Sequence, residues 1–263
     1  MNSTPKYNVY VTTDTGAVRK NNEDSFQINN IIKRPHNNRQ NMRGQAFAEP
    51  IMCSVFDGMG GEAHGEVASE TASLIAKSFY SFIIKDRKNI DNYIGTFVNK
   101  CSQEIYRKLS CERGSRGGCT FAMAYICDNK IKTYTIGDSR IYLYSNGTLR
   151  RISKDHTLAM KKYDANIYTW EEAEKSNDSH KLTAYLGMDT TEKELKPYAY
   201  EDIFLSEGDK LLICSDGLYD MCSEEEILSI LGKDSDLISA KLANRAIDRG
   251  GVDNVTCIVI ERA

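Results

Sequence analysis

Short apolar runs that end in aspartate constrain this chain more than any other feature of its sequence. Three of them are residues 51–57 (IMCSVFD), 130–138 (KIKTYTIGD) and 210–216 (KLLICSD), and a fourth run, 253–260 (DNVTCIVI), begins with aspartate. Runs of this length, rich in β-branched residues, are typical of strands. In antiparallel sheets the ends of some strands lie beside the starts of others. We therefore expect Asp57, Asp138, Asp216 and Asp253 to gather along one rim of the sheets.

The rest of the chain alternates between further strands and helices. Apolar residues recur at helical spacing over 66–84 and 90–109, which predicts two amphipathic helices. A capping-box sequence predicts a helix after Ser223, and another is predicted at 237–247. Further strands are predicted at 7–13, 24–29, 119–127, 140–144, 148–152 and 198–204. Many short strands without regular β-α-β alternation favour an α+β fold, with mainly antiparallel sheets and outer helices in one domain, 1–263.

Two polar stretches interrupt this pattern. Residues 33–50 are predicted to be a long loop with four basic residues. Such a loop is either a solvated connection or a docking surface for a partner. Residues 155–181 are polar and weakly helical, which predicts a lobe at the edge of the fold.

Composition excludes several classes of protein. The net charge of −3 and the pI near 5.9 disfavour a nucleic-acid-binding protein, which normally carries a basic surplus. No run approaches the ~20 apolar residues of a membrane span, and residues 1–10 lack the apolar core of a signal peptide. The eight cysteines contain no C-x-x-C pair, which favours reduced, buried thiols. We therefore expect a cytoplasmic protein without membrane contact.

A cluster of aspartates has a definite chemistry, although each aspartate alone is a weak signal. Asp-Gly at 57–58 and 216–217 is an ordinary turn dipeptide. Clustered carboxylates repel one another unless a cation neutralises them, and oxygen ligands favour Mg²⁺ or Mn²⁺. Two such ions about 4 Å apart can activate a water for attack on phosphorus. Glycine after Asp57 also leaves the backbone carbonyl accessible to a metal.

Seven motifs of this chain resemble, in order, those of the type-2C-like, metal-dependent serine/threonine protein phosphatases, the PPM family. They are residues 13–24 (TDTGAVRKNNED), 56–61 (FDGMGG), 65–69 (GEVAS), 137–140 (GDSR), 154–156 (KDH), 215–218 (SDGL) and 253–256 (DNVT). The resemblance extends from about residue 9 to residue 260, and it is closest to the bacterial branch. It implies a four-layer α-β-β-α sandwich.

The resemblance also implies metal ligands. Asp57 would bridge two Mn²⁺ or Mg²⁺ ions, and the Gly58 carbonyl would bind the second. Asp216 and Asp253 would bind the first ion. Asp138, together with Asp216, would bind a third and weaker ion.

Four further residues receive roles from the same motifs. Glu23 and Asp24 would act on the metals through water, with Glu23 closer to the second ion. Arg19 would bind the substrate phosphate, because a planar guanidinium suits two phosphate oxygens. Asn254 would support Asp253.

The general acid for the leaving group is not identified by the motifs. Some relatives carry histidine after Asp-Gly, whereas this chain has Met59. His64 is a candidate replacement, although a solvent-exposed histidine at a helix start is the simpler interpretation, and His156 is interpreted as structural. Residues 157–183 correspond to the variable flap of the family, in which Trp170 would pack the flap down.

The implied activity is hydrolysis of phosphoserine and phosphothreonine in proteins. The implied partners are phosphorylated protein substrates and a cognate serine/threonine kinase, and the expected oligomeric state is monomeric. A catalytically weak phosphoprotein-binding regulator of the same fold is the main alternative, but no core acid is missing. A two-metal nuclease and a calcium-stabilised binding protein are disfavoured by the acidic pI and by the absence of an EF-hand-like loop.

Overall fold

The computed structural model describes residues 6–60, 64–110, 117–191 and 194–262, and its strands form two six-stranded sheets and a two-stranded ribbon. The strands are β1 (Lys6–Asp14), β2 (Ser25–Ile28), β3 (Ile31–Ile32), β4 (Arg39–Ala48), β5 (Ile51–Phe56), β6 (Gly58–Gly60), β7 (Gly117–Cys119), β8 (Phe121–Cys127), β9 (Lys130–Ile136), β10 (Arg140–Ser145), β11 (Thr148–Arg151), β12 (Tyr198–Ala199), β13 (Lys210–Cys214) and β14 (Val255–Arg262). The helices are α1 (His64–Ile83), α2 (Ile90–Ser110), α3 (Leu158–Asp164), α4 (Trp170–Lys175), α5 (Asp216–Tyr219), α6 (Glu224–Leu231) and α7 (Ile238–Asp248).

The strand order places the aspartate-bearing strands inside the sheets. The first sheet has the order β11-β10-β13-β14-β1-β4, and the second has the order β12-β9-β8-β5-β2-β3. The pairing is antiparallel throughout. The end of β13 therefore lies beside the start of β14, with Cys214 opposite Cys257. Asp216 and Asp253 consequently reach the same rim, as the sequence predicted.

Three apolar layers hold the sandwich together. Between the sheets lie fully buried residues such as Phe26, Val55 and Ile258. The helices α1 and α2 cover the second sheet, where the Phe97 and Phe121 rings lie 5.2 Å apart. The helices α6 and α7 cover the first sheet through a separate apolar cluster. The predicted α-β-β-α architecture is thus confirmed.

The prediction of a long loop over residues 33–50 was wrong. Residues Arg39–Ala48 form β4, which is hydrogen-bonded to β1 and lies at the edge of the first sheet. Edge strands tolerate polar residues because one side and much of one face contact water. Only Met42 and Phe47 of β4 pack against the core. The sequence of β4 therefore shows little of the alternation between apolar and polar residues that is typical of a strand. Lys33, one of the four basic residues of this stretch, is buried and only 3% exposed.

The predicted strand over 198–204 is also shorter than expected. Its ordered pairing is limited to β12 and to a single bridge between Ile131 and Ile203. The predicted strand over 119–127 is divided at Thr120 into β7 and β8. The described cysteines are free thiols, and all except Cys127 are buried, as predicted; Cys111 lies outside the described residues.

The 157–183 segment forms a small helical lobe. It contains α3, α4 and a 3₁₀ turn at Asn177–His180. Its two stems are joined by hydrogen bonds from Leu158 N to Lys181 O (2.8 Å) and from Thr183 N to His156 O (2.8 Å). Trp170 packs edge-on against Tyr163 within the lobe, so it joins α4 to α3.

None of the described helices combines the length and the apolar character that a membrane crossing requires.

Candidate active site

Asp57 lies at the centre of the candidate site. It follows β5, and Thr120, the residue between β7 and β8, fixes its backbone from both sides. The Thr120 hydroxyl accepts a hydrogen bond from Asp57 N (3.0 Å), and Thr120 N donates to Asp57 O (2.8 Å). Burial raises the pKa of Asp57 well above its ordinary value, and the nearby carboxylates of Asp216, Asp24 and Asp138 raise it further. The predicted acids therefore converge on Asp57.

Asp216 and Asp253 approach this centre from the other sheet. Asp216 is the first residue of α5, two residues after the end of β13, and Asp253 lies two residues before the start of β14. Burial raises the pKa of Asp216 well above its ordinary value, with further contributions from Asp138, Asp220 and Asp253. These neighbouring carboxylates thus disfavour the ionised form of Asp216, which is the electrostatic signature of a cation site.

Asp24 provides the most direct sign that a cation belongs here. It is 1% exposed, and its Oδ2 accepts a hydrogen bond from the Ser215 hydroxyl (2.7 Å). Its Oδ1 is buried and has no hydrogen-bond partner among the described residues. Burial raises the pKa of Asp24 to about 6. Burying a carboxylate oxygen without a hydrogen-bond partner costs free energy unless an ion or a water molecule contacts that oxygen.

Asp138 follows β9 and is 7% exposed. Burial, followed by the charge of Asp155, raises its pKa to about 7. The Tyr219 hydroxyl donates a hydrogen bond to the Asp138 carbonyl (3.0 Å), and Tyr219 belongs to the short helix that Asp216 begins. Asp138 also lies close enough to Asp216 for its charge to raise the Asp216 pKa.

Gly58, Gly65 and Glu23 pack so closely that neither glycine position has room for a side chain. A Cβ on Gly58 would lie 2.3 Å from Gly65 O and 2.5 Å from Glu23 O, and a Cβ on Gly65 would lie 2.5 Å from Glu23 Oε2. The Glu23 pKa is raised, first by burial. The Glu23 backbone thus lies against Gly58, and its carboxylate lies against Gly65.

Arg19 lies at the open side of the site. Its Nη2 is 2.6 Å from Asp253 Oδ2, and its side chain is 53% exposed. The guanidinium is therefore next to a predicted metal ligand and accessible to a substrate.

Asn254 has a different contact set from the one predicted. Its side chain donates hydrogen bonds to Thr15 O (2.9 Å) and Asn21 O (2.9 Å) and accepts one from Glu23 N (2.8 Å). Its support of Asp253 is limited to a backbone N–H that donates to Asp253 Oδ1 (2.8 Å). The main contacts of the Asn254 side chain thus hold the loop that carries Arg19 and Glu23.

Several residues near the acids were not predicted from the sequence. Asp220 stands four residues after Asp216, a helical spacing that places both side chains on one face. His180 of the flap joins them, with its Nδ1 4.0 Å from Asp220 Oδ2. The buried ammonium of Lys33 also lies near Asp24, and it donates to Asn22 O (2.6 Å). The four-residue spacing of Asp216 and Asp220 is visible in the sequence. No local sequence pattern predicts that Lys33 lies near the acids.

The structure shows the surroundings of both histidines, His64, considered as a proton donor, and His156, interpreted as structural. His64 begins α1, as predicted, but it is only 9% exposed, so the expectation of solvent exposure was wrong. His156 Nδ1 accepts a hydrogen bond from Gly137 N (3.0 Å), and its ring lies 4.9 Å from that of Tyr198. Burial lowers the His156 pKa to about 4, which agrees with a neutral, structural residue.

A cavity of about 790 Å³ adjoins the acids beneath the flap. Its lining combines residues of the flap with residues of the first sheet, including His180, Trp170, Arg140 and Asp220. Asp220 connects this cavity to Asp216, whereas Asp57, Asp138, Asp216 and Asp253 themselves do not line it. The cavity therefore lies beside the aspartate cluster.

Comparisons with known proteins agree with this geometry. The family model described as Protein phosphatase 2C matches residues 41–244. The serine/threonine phosphatase stp of Listeria monocytogenes is 28% identical over 256 residues, which cover 95% of this chain and 94% of that protein.

Solved structures show the same fold. The Mycobacterium tuberculosis serine/threonine phosphatase PstP/Ppp superposes with a TM-score of 0.78 at 28% identity, covering 97% of this chain and 98% of that one. The catalytic domain of PstP in complex with two manganese ions has a TM-score of 0.75 at 27% identity, over 98% and 99% of the two chains. The chain therefore belongs to the protein phosphatase 2C family of serine/threonine protein phosphatases.

Proposed function

We propose that this chain hydrolyses phosphoserine and phosphothreonine in proteins, using two divalent cations held by Asp57, Asp216 and Asp253. The observation that carries the proposal is the convergence of buried carboxylates on Asp57. Such a cluster is costly unless cations neutralise it, and its ligands are all oxygen atoms, which favours Mn²⁺ or Mg²⁺. The solved relative with two manganese ions supports the same metal number.

The residues present fit these ions. The unpartnered Oδ1 of Asp24 and the raised pKa of Asp57 both indicate missing positive charge. Asp57 would bridge the ions, Asp216 and Asp253 would hold the first, and the Gly58 carbonyl would bind the second. When bound, the ions supply a water nucleophile at neutral pH and offset the charge that develops on the phosphoryl oxygens.

The other residues of the site position the reactants. Glu23 and Asp24 would orient water, and Asp138 would add a third, weaker ion beside Asp216. Arg19 would bind two oxygens of the substrate phosphate through its planar fork. Its present ion pair with Asp253 keeps the guanidinium at the edge of the acid cluster, within reach of an incoming phosphate.

The substrate class follows from family membership and from the open site. A phosphorylated side chain would enter beside Arg19, while the adjoining cavity beneath the flap would accommodate the flanking peptide. We propose that the chain acts as one domain, 1–263, with a flap at 157–183, and that it is a monomer. We further propose that it opposes a cognate serine/threonine kinase that phosphorylates the same proteins.

One assay tests the proposal. Purified wild type should hydrolyse a phosphothreonine peptide with Mn²⁺ present and should lose this activity with chelator. Asp57→Asn should be slower by at least about 100-fold, the scale of losing one transition-state stabiliser.

The same assay separates the alternatives. A wild type that binds the phosphopeptide with Mn²⁺ but does not hydrolyse it would identify a phosphoprotein-binding regulator. Metal-dependent cleavage of a nucleic acid, without cleavage of the phosphopeptide, would identify a nuclease. Either result contradicts the proposed function.

A further inference from the structure

A second group of metal-ligating side chains lies outside the aspartate cluster. It consists of His36, Glu66 and Glu70, each of which offers one ligand atom, and these atoms all lie within 4.8 Å of one another. The closest pair is His36 Nδ1 and Glu66 Oε1, at 3.4 Å. We propose that these three residues form a further divalent-cation site, of the class that binds Zn²⁺.

The three ligands come from two elements that the fold brings together. Glu66 and Glu70 are four residues apart in α1, so both carboxylates lie on one face of the helix. His36 belongs to the turn between β3 and β4 and has a left-handed backbone, with φ of 54°. That turn is held by a hydrogen bond from Asn37 N to Arg34 O (3.2 Å). The fold therefore presents the imidazole to the two glutamates.

The Glu70 carboxylate is an independent indication of a cation site. Its Oε1 is buried and has no hydrogen-bond partner among the described residues. A buried carboxylate oxygen normally has a partner, because desolvation without one is costly. A cation between the helix and the turn would supply that partner.

The local charge also favours a dication. Lys33 lies near both glutamates, but its ammonium donates to Asn22 O (2.6 Å). Two carboxylates and one ammonium leave one negative charge in the group, which a divalent ion would more than offset. The site therefore remains attractive to a cation despite the lysine.

The ligand set differs from that of the aspartate cluster. One imidazole nitrogen with two carboxylate oxygens suits Zn²⁺, whereas Mg²⁺ and Mn²⁺ prefer oxygen ligands alone. Three protein ligands leave a fourth position for water, and the 86% exposure of the His36 side chain gives solvent access. The two sites should therefore differ in metal preference.

A metal at this position would act as a clamp. It would tie the β3–β4 turn to the first turns of α1, which also carry Gly65 and Ser69. The Ser69 hydroxyl donates to the Glu23 carbonyl (2.5 Å), and Gly65 packs against the Glu23 side chain. The clamp would thus hold the helix turns on which Glu23 rests.

The test measures Zn²⁺ binding directly. Calorimetric titration would be done in an Asp57→Asn background, which weakens binding at the aspartate cluster. His36→Gln and Glu70→Gln should each weaken the Zn²⁺ affinity of one site by at least about tenfold, since even outer-shell partners contribute 10- to 100-fold. Zn²⁺ should also shift the imidazole NMR signals of His36.

A matched control is provided by His180→Gln in the flap, because His180 lies near Asp216 and Asp220. That variant should keep the Zn²⁺ affinity that His36→Gln weakens. If His180→Gln removes the binding and His36→Gln does not, the proposed site is wrong. Unchanged Zn²⁺ affinity in both His36→Gln and Glu70→Gln would also overturn it. Circular dichroism without metal would verify that each variant is folded.

Discussion

At the scale of single residues, the candidate site depends on polar side chains that hold its backbone in place. Asn254 is the clearest example, since its one amide group binds the backbone of Thr15, Asn21 and Glu23. The loop 15–23 carries Arg19 and has no regular secondary structure. Its position is therefore set by these hydrogen bonds rather than by a helix or strand.

Asn254→Ala should consequently be costly. Three hydrogen bonds are lost, at about 1 kcal/mol each, so the free energy of unfolding should fall by about 3 kcal/mol. Phosphopeptide hydrolysis should also fall, because Arg19 and Glu23 lose their positions. Urea unfolding and the phosphopeptide assay would measure both effects.

Asn92→Ala, on the exposed face of α2, is the matched control and should change stability by less than about 0.5 kcal/mol. Equal stability of Asn254→Ala and Asn92→Ala would show that the Asn254 contacts do not hold the loop.

At the scale of elements, the flap is joined to the sandwich at its stems. His156 is the central residue of this junction. Its backbone N donates to Gly137 O (2.9 Å), its Nδ1 accepts from Gly137 N, and its carbonyl accepts from Thr183 N. The flap is thus attached next to Asp138, one residue after Gly137.

The buried His156 makes stability depend on pH. Its pKa is lowered from 6.5 to about 4 in the folded protein, so the unfolded chain binds the proton more readily. The stabilisation is fully present above pH 6.5 and is lost as the pH falls towards 4. Between pH 7 and pH 5 this residue should remove about 2 kcal/mol of unfolding free energy.

His156→Gln cannot take up this proton and should lose that part of the pH dependence. Urea unfolding of wild type and variant at both pH values measures the difference. A variant whose stability falls with pH as steeply as that of the wild type would disprove the assignment.

At the scale of the whole molecule, the site opposes folding when no cation is present. Five acids from both sheets meet in one place, and burial together with repulsion from the other four raises the pKa of Asp57. The buried layers of the sandwich must offset this cost. Cation binding would relieve the repulsion, so metal binding and folding should be thermodynamically linked.

Stability measurements with and without metal test this linkage. Mn²⁺ at about 100 times its Kd should stabilise the wild type by about 2.7 kcal/mol relative to chelator. Asp57→Asn should gain much less from Mn²⁺, and in chelator it should be more stable than the wild type because one repelling charge is removed. A wild type with the same thermal midpoint in Mn²⁺ and in chelator would contradict the linkage.

The sequence by itself determined the elements whose signals are local. The bounds of β5, β9 and β13 agree with the predicted strands, because each is a short run rich in apolar or β-branched residues. The capping box at Ser223 is present, with Glu226 N donating to the Ser223 hydroxyl (3.3 Å) and Ser223 N donating to Glu226 Oε2 (3.1 Å). The aspartates at strand ends were likewise visible, since antiparallel pairing brings such ends together.

Only the tertiary structure decided what depends on partners distant in sequence. The strand β4 owes its form to pairing with β1 at a sheet edge, so its own pattern reads as a loop. Lys33 is buried by the chain that folds around it. His36 contacts Glu66 because the β3–β4 turn packs on α1. Burial and long-range contact are properties of the packed molecule, and a local pattern of residues does not encode them.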